Sequence, residues 1–131
     1  MQLKKNYKIG SALEIAKEIG RINGVKAVYL FGSFAKGRNH HLSDIDICII
    51  GEKGDEKMEE DALSFFQEPL DISFFWKLPA SIQFRVFKEG KALVINDKNF
   101  IDKVKIRTLR NYVDIKPLFN RYYVERFQCT I

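Results

Sequence analysis

Phe31-Gly32-Ser33-Phe34-Ala35-Lys36-Gly37-Arg38, followed by Ser43-Asp44-Ile45-Asp46-Ile47, is the stretch on which the reading of this chain turns. Upstream of it, Val25 to Phe31 is a short apolar run of strand length that Gly32 and Ser33 end. Ile45 to Ile50 is a second such run, with Asp44 and Asp46 at its head. Side chains alternate across a strand, so the two carboxylates share one face, about 6.5–7 Å apart along the chain. Two like charges aimed from a buried strand repel and lose hydration unless something positive sits between them. A divalent cation meets that requirement, and hard oxygen donors select Mg²⁺ or Mn²⁺ over zinc. Taken alone, an Asp-x-Asp pair more often merely caps the head of a strand at the surface.

Asp71, in Leu70-Asp71-Ile72-Ser73-Phe74-Phe75, is another carboxylate near the start of an apolar run. It reads either as a turn residue after Pro69 or as part of a cluster. If its strand lies beside Ile45–Ile50, then Asp44, Asp46 and Asp71 converge in the geometry of a two-metal phosphoryl-transfer site. The turn supplies the complement. Gly32 lets the backbone approach a ligand closely, and Ser33 offers a hydroxyl and an N–H at the start of a short helical turn over residues 34–38. Lys36 and Arg38 stand ready to pair with phosphate oxygens. The pattern is neither a Walker loop, G-x-x-x-x-G-K-[ST], nor a Rossmann G-x-G-x-x-G.

Outward from this stretch the elements alternate, which predicts an α/β (α+β) fold: a small mixed β-sheet with helices packed on it and a helical C-terminus. The first helix is expected over Ser11 to Ile22, with Ser11 and Glu14 as a capping box and Gly24 as a stop. A turn at Gly51–Gly54 leads to a helix over Asp55–Gln67. A third strand follows over Leu70–Trp76, then a helix that Pro79 opens and Gly90 closes. A fourth short strand is expected over Ala92–Ile95. Helical pattern resumes from Asp97, is broken at Pro117, and returns around Phe119–Phe127.

The 131 residues suit one domain able to bury a core without disulfides or a structural metal. Hydrophobic residues make 46% and charged residues 30%, the balance of a globular and not a disordered chain. No apolar run reaches membrane-spanning length, so no membrane partner is expected. No apolar stretch follows Lys4 and Lys5, so no signal peptide is read. Cys48 lies in an apolar run and reads as a buried thiol in a reducing cytoplasm, and Cys129 matches no metal spacing. A net charge of +5 favours anionic partners without specifying them.

The spacing of Gly32-Ser33-Phe34-Ala35-Lys36-Gly37, Ser43-Asp44-Ile45-Asp46 and the later Leu70-Asp71-Ile72 resembles the composite signature of the DNA polymerase β-type nucleotidyltransferase superfamily. The chain is most similar to its smallest members, the minimal nucleotidyltransferases (MNT proteins). The resemblance is good over residues 11–95 and loose beyond; Lys36 stands where Arg is common and keeps the charge. It implies that Gly32 and Ser33, with Lys36 and Arg38 beside them, hold the terminal phosphates of a nucleoside triphosphate, ATP above all. It implies that Asp44 and Asp46 bind two Mg²⁺ ions and that Asp71 completes the site of the ion that activates the attacking hydroxyl. Attack on the α-phosphorus then expels pyrophosphate. The extra domains with which larger members hold their acceptor are not expected here, so the resemblance implies a protein partner: a HEPN-type toxin whose antitoxin, and protein adenylyltransferase, this chain would be.

Two other classes stay open. One is an antitoxin or nucleotide-binding module acting by contact alone. The other is a basic nucleic-acid-binding domain, whose binding would depend on salt and not on Mg²⁺; nucleic acid is not the expected partner. His40-His41 reads as a solvated loop pair. Phe74, Phe75 and Trp76 read as core or sheet cover. Lys103, Lys105, Arg107, Arg110, Arg121 and Arg126 read as a solvated helix face. Oligomeric state is not legible.

Overall fold

The computed structural model describes residues 9–31, 45–65 and 70–115. In chain order the elements are α1 (Ile9–Gly20), β1 (Val25–Phe31), β2 (Ile45–Gly51), α2 (Glu56–Leu63), β3 (Leu70–Phe74), a 3₁₀ turn (Phe75–Lys77), α3 (Ala80–Glu89), β4 (Lys91–Ile95) and α4 (Lys98–Ile115). The strands form one mixed sheet in the order β3-β2-β1-β4. β1 runs antiparallel to both β2 and β4, whereas β2 and β3 are parallel.

Helices cover both faces of the sheet, which explains why β2 reads as an unbroken apolar run. Val28, Leu30, Ile45, Ile47, Ile49 and Leu70 meet α1 through Ala16 and Ile19, and α2 through Met58 and Ala62. On the other face Ala27, Tyr29, Cys48 and Ile50 meet Phe75, Val86 of α3, and Ile101 and Val104 of α4. Beyond that, α3 and α4 close on each other, with the Phe84 and Tyr112 rings stacked at 4.2 Å.

Strand and helix types follow the sequence expectation, and several boundaries differ for physical reasons. α1 starts at Ile9, so Ser11 lies inside it and is not its cap. It ends at Gly20, where the N–H groups of Arg21 and Ile22 switch to the tighter bonds to Glu18 O and Ile19 O. α2 stops at Leu63 because the Ser64 hydroxyl takes the Asp61 carbonyl at 2.7 Å. β3 ends at Phe74, two residues early. There the chain turns so that Phe75 enters the core completely and the Trp76 indole N–H donates to Gly51 O at 2.7 Å. β4 begins one residue early, at Lys91. The helical turn at 34–38, the break at Pro117 and the segment 119–127 lie outside the described residues.

Gly24 fixes the start of the sheet. Its φ is +100°, and a Cβ there would meet Asp55 Oδ2 at 2.6 Å. Asp55 is the N-cap of α2, accepting the Met58 N–H at 3.1 Å. Gly51, paired with Val25, is as tight: a Cβ would lie 2.6 Å from Met58 Cε and 2.8 Å from Gly24 O. These contacts lock one end of the β1–β2 ladder; the pairing shifts by one residue between Val25 and Ala27, and from Ala27↔Ile50 it runs unbroken to the other end.

Candidate active site

At that other end Phe31 of β1 pairs with Asp46 of β2, and Asp46 pairs with Asp71 of β3. Paired residues of parallel strands point to the same face, and adjacent strands are about 4.8 Å apart. Asp46 and Asp71, 25 positions apart in sequence, are therefore side by side, as the cluster reading of Asp71 requires. By alternation they stand on the face of Cys48 and Ile50, the side covered by α3 and α4. Asp46 is half-buried and Asp71 exposed, so the pair forms a rim open to solvent.

The ground behind the rim is apolar and unreactive. Tyr29 pairs with Cys48, and both are buried. Burial pushes the Tyr29 phenol up to about 12, with smaller contributions from the charges of Asp102 and Cys48. Burial alone pushes the Cys48 thiol up. Both stay neutral at physiological pH, and Cys48 is a packed thiol, not a nucleophile.

Gly32, Ser33, Lys36, Arg38, His40, His41 and Asp44 lie outside the described residues. Gly32 is nonetheless the residue after Phe31, and Asp44 the residue before Ile45, the first residue of β2. Asp46 and Asp71 present two hard oxygen donors on one face across adjacent strands, and this donor set fits a divalent cation. Among the described residues no group of three His, Cys, Asp or Glu gathers to hold a metal; the third expected carboxylate is Asp44.

Sequence reading also missed a grouping. In sequence Trp76 reads as core or sheet cover, Lys103 and Arg107 as a solvated helix face, and Lys53 as part of the Gly51–Gly54 turn. The fold brings all four to one cavity at the opposite end of the sheet from Asp46. No local pattern marks Lys53, because only the tertiary fold puts its turn beside α4. Among the described residues no helix is long and apolar enough to cross a membrane.

Comparison with known proteins bears on the family and the fold. The chain is 33% identical over 69 residues to "Putative protein adenylyltransferase MJ1547" of Methanocaldococcus jannaschii, covering 53% of this chain and 55% of that one. It thus spans about half the length of the curated relative it matches. Its fold matches a chain of a crystallised toxin–antitoxin complex with AMP-PNP, with a TM-score of 0.64 at 18% identity, over 86% of this chain and 96% of the other. It also matches a chain of the tri-AMPylated Shewanella oneidensis HEPN toxin in complex with MNT antitoxin, with a TM-score of 0.55 at 16% identity, over 95% and 96%. Residues 13–99 match the family model described as polymerase beta, nucleotidyltransferase. With that match across most of the chain, and with Asp46 and Asp71 aligned on adjacent strands, this protein belongs to the polymerase beta nucleotidyltransferase family.

Proposed function

We propose that this nucleotidyltransferase moves AMP from ATP to a hydroxyl on a protein partner, and that the partner is a HEPN-type toxin for which this chain is the antitoxin. The observation that carries the proposal is the register Asp46↔Asp71, which sets two carboxylates side by side at the sheet end where Gly32-Ser33 leaves β1. The name of the M. jannaschii relative and the AMPylated toxin complex support the choice of acceptor class.

In this reading Asp44, Asp46 and Asp71 hold divalent cations, Mg²⁺ by their hard oxygen chemistry. Bound there, two such ions would neutralise phosphate charge and lower the pKa of the attacking hydroxyl. Gly32 leaves room for the backbone to approach the terminal phosphates, and Ser33 donates to them from its N–H and hydroxyl. Lys36 and Arg38 offset the negative charge of the leaving pyrophosphate. Asp71, on β3, orients the acceptor side, while Asp46, on β2, and Asp44, two residues before it in sequence, orient the nucleotide side. Transfer of this kind is mostly positioning and charge neutralisation, which a rigid two-strand platform supplies.

The test is transfer of label from α-labelled ATP, with Mg²⁺ present, to a co-purified HEPN-type protein. Asp46→Asn and Asp71→Asn should each lower labelling about a hundredfold or more while leaving the circular dichroism spectrum intact. Labelling that persisted in both variants would remove the carboxylates from the mechanism. Suppression of the toxin with no label transferred would make contact, not chemistry, the function.

A further inference from the structure

We propose that the cavity between Lys53, Trp76 and the Phe100–Arg107 face of α4 is a second anion site, built for the phosphate monoester of a nucleotide and separate from the carboxylate centre. It lies where β2 and β3 end. Glu52 follows β2, and Asp46 stands six residues back along that strand, or about 20 Å at strand rise. The two sites therefore occupy opposite ends of the same strands.

The cavity is about 360 Å³, within the size range of small-ligand sites. Its floor is apolar, from Phe100, Val104 and the Trp76 ring. Phe100, Lys103, Val104 and Arg107 have the i, i+3, i+4, i+7 spacing that puts them on one face of α4. Its charges are Lys53, Lys103 and Arg107 against Glu52, an excess of two positive charges. A phosphate monoester carries a charge of about −1.5 to −2 near neutral pH, so the match is close.

Two features mark these cations as held for a ligand. First, Lys26, Lys57, Lys77 and Lys98 each have a carboxylate within 3.8 Å. Among the described residues none of Lys53, Lys103 and Arg107 has one within ion-pair distance, although Glu52 lines the same cavity. Second, the Trp76 ring positions two of them. Lys53 Nζ lies 6.0 Å and Arg107 Cζ 5.7 Å from its centroid. The ring itself is fixed, edge-on to Phe75 at 5.1 Å, with its N–H on Gly51 O. Cations already ordered by an immobile ring lose less entropy on binding an anion. The Arg107 guanidinium adds a planar fork suited to phosphate oxygens. The phosphate could be that of a free nucleotide or the 5′ end of a single-stranded oligonucleotide.

Trp76 is the only tryptophan in the chain, so its emission reports on this cavity directly. The wild type would be titrated in excess EDTA, which silences a metal-dependent site, with inorganic phosphate, AMP, and a short single-stranded oligonucleotide with and without a 5′-phosphate. Saturable change in Trp76 emission is expected with AMP, and competition by inorganic phosphate. Lys103→Glu and Arg107→Glu, both at exposed positions, should each weaken AMP binding about tenfold or more. Arg110→Glu, on the same helix outside the cavity, should leave it within twofold. A 5′-phosphorylated oligonucleotide that binds more tightly than AMP, with its unphosphorylated form weak, identifies a nucleic-acid end; equal affinity identifies the free nucleotide. The proposal is overturned by no saturable change in emission. It is also overturned by equal weakening in Arg110→Glu, or by a polyglutamate peptide that binds where inorganic phosphate does not compete.

Discussion

Gly24→Ala and Gly54→Ala place the same methyl group on two glycines of positive φ, +100° and +83°, in different surroundings. At Gly54 nothing lies within 4 Å of the new Cβ, so only backbone strain is added, about 1–2 kcal/mol. At Gly24 the same strain applies, and the methyl also meets Asp55 Oδ2 at 2.6 Å and Met58 Cβ at 3.3 Å. The carboxylate must rotate away, yet its other oxygen holds the Met58 N–H as the cap of α2. Losing that cap costs about 1 kcal/mol more. Gly24→Ala should therefore destabilise by about 2–3 kcal/mol in total. With a urea slope of about 1.5 kcal/mol/M, the excess over Gly54→Ala moves the midpoint by a further ~0.7 M. A double-mutant cycle with Asp55→Ala isolates the clash, and in that background the excess should largely vanish. The reasoning fails if Gly24→Ala costs no more than Gly54→Ala, or if the excess survives in the Asp55→Ala background. The knot at Gly24 and Gly51 anchors the end of β1–β2 from which the ladder Ala27↔Ile50 to Phe31↔Asp46 extends, and a one-residue slip of that ladder would turn Asp46 to the opposite face.

Mg²⁺ and ATP together should raise the melting temperature beyond the sum of their separate effects; ligand at a hundredfold excess over its dissociation constant adds about 2.7 kcal/mol, and purely additive shifts in a melting curve would count against a nucleotide site. Tyr29, raised to about 12 from an ordinary value near 10, binds its proton more tightly in the folded state. The stability this contributes is full below about pH 10 and is lost as pH rises toward 12. Urea midpoints across that window should fall, and Tyr29→Phe should flatten the decline. Phe75→Ala removes a fully buried ring from the core under α3 and α4 and should cost about 3–5 kcal/mol by urea unfolding, where a loss under 1 kcal/mol would mean that the ring is not packed as described.

The strand that carries Asp46 was legible because its signal is local. Asp46 stands near the head of an apolar run that does form β2, and Gly32, Ser33 and Asp44, expected beside it from the same short stretch of sequence, lie outside the described residues. Asp71 was half legible: its strand could be read, but its neighbour could not. Pairing with Asp46 depends on β3 lying parallel beside β2, and that follows from the α2 crossover and not from any residue near Asp71. Boundaries went astray where a side chain competed with the backbone, at Ser64, or where a tertiary bond pulled the chain out of a strand, at Trp76. The Lys53 cavity was illegible because its members come from a turn, a 3₁₀ segment and a helix that meet only after folding.

The strand order β3-β2-β1-β4 also has a kinetic consequence. Asp46 and Asp71 become neighbours only when the β2–α2–β3 crossover closes, and β4 reaches β1 only across more than sixty residues of chain. Late loop closure of this kind slows assembly relative to local hairpin formation. A nascent chain that has paired only β1 with β2 carries Asp46 without its companion carboxylate. Under the proposed function, competence arrives with the parallel ladder, and a partially folded molecule would lack the paired carboxylates that transfer requires.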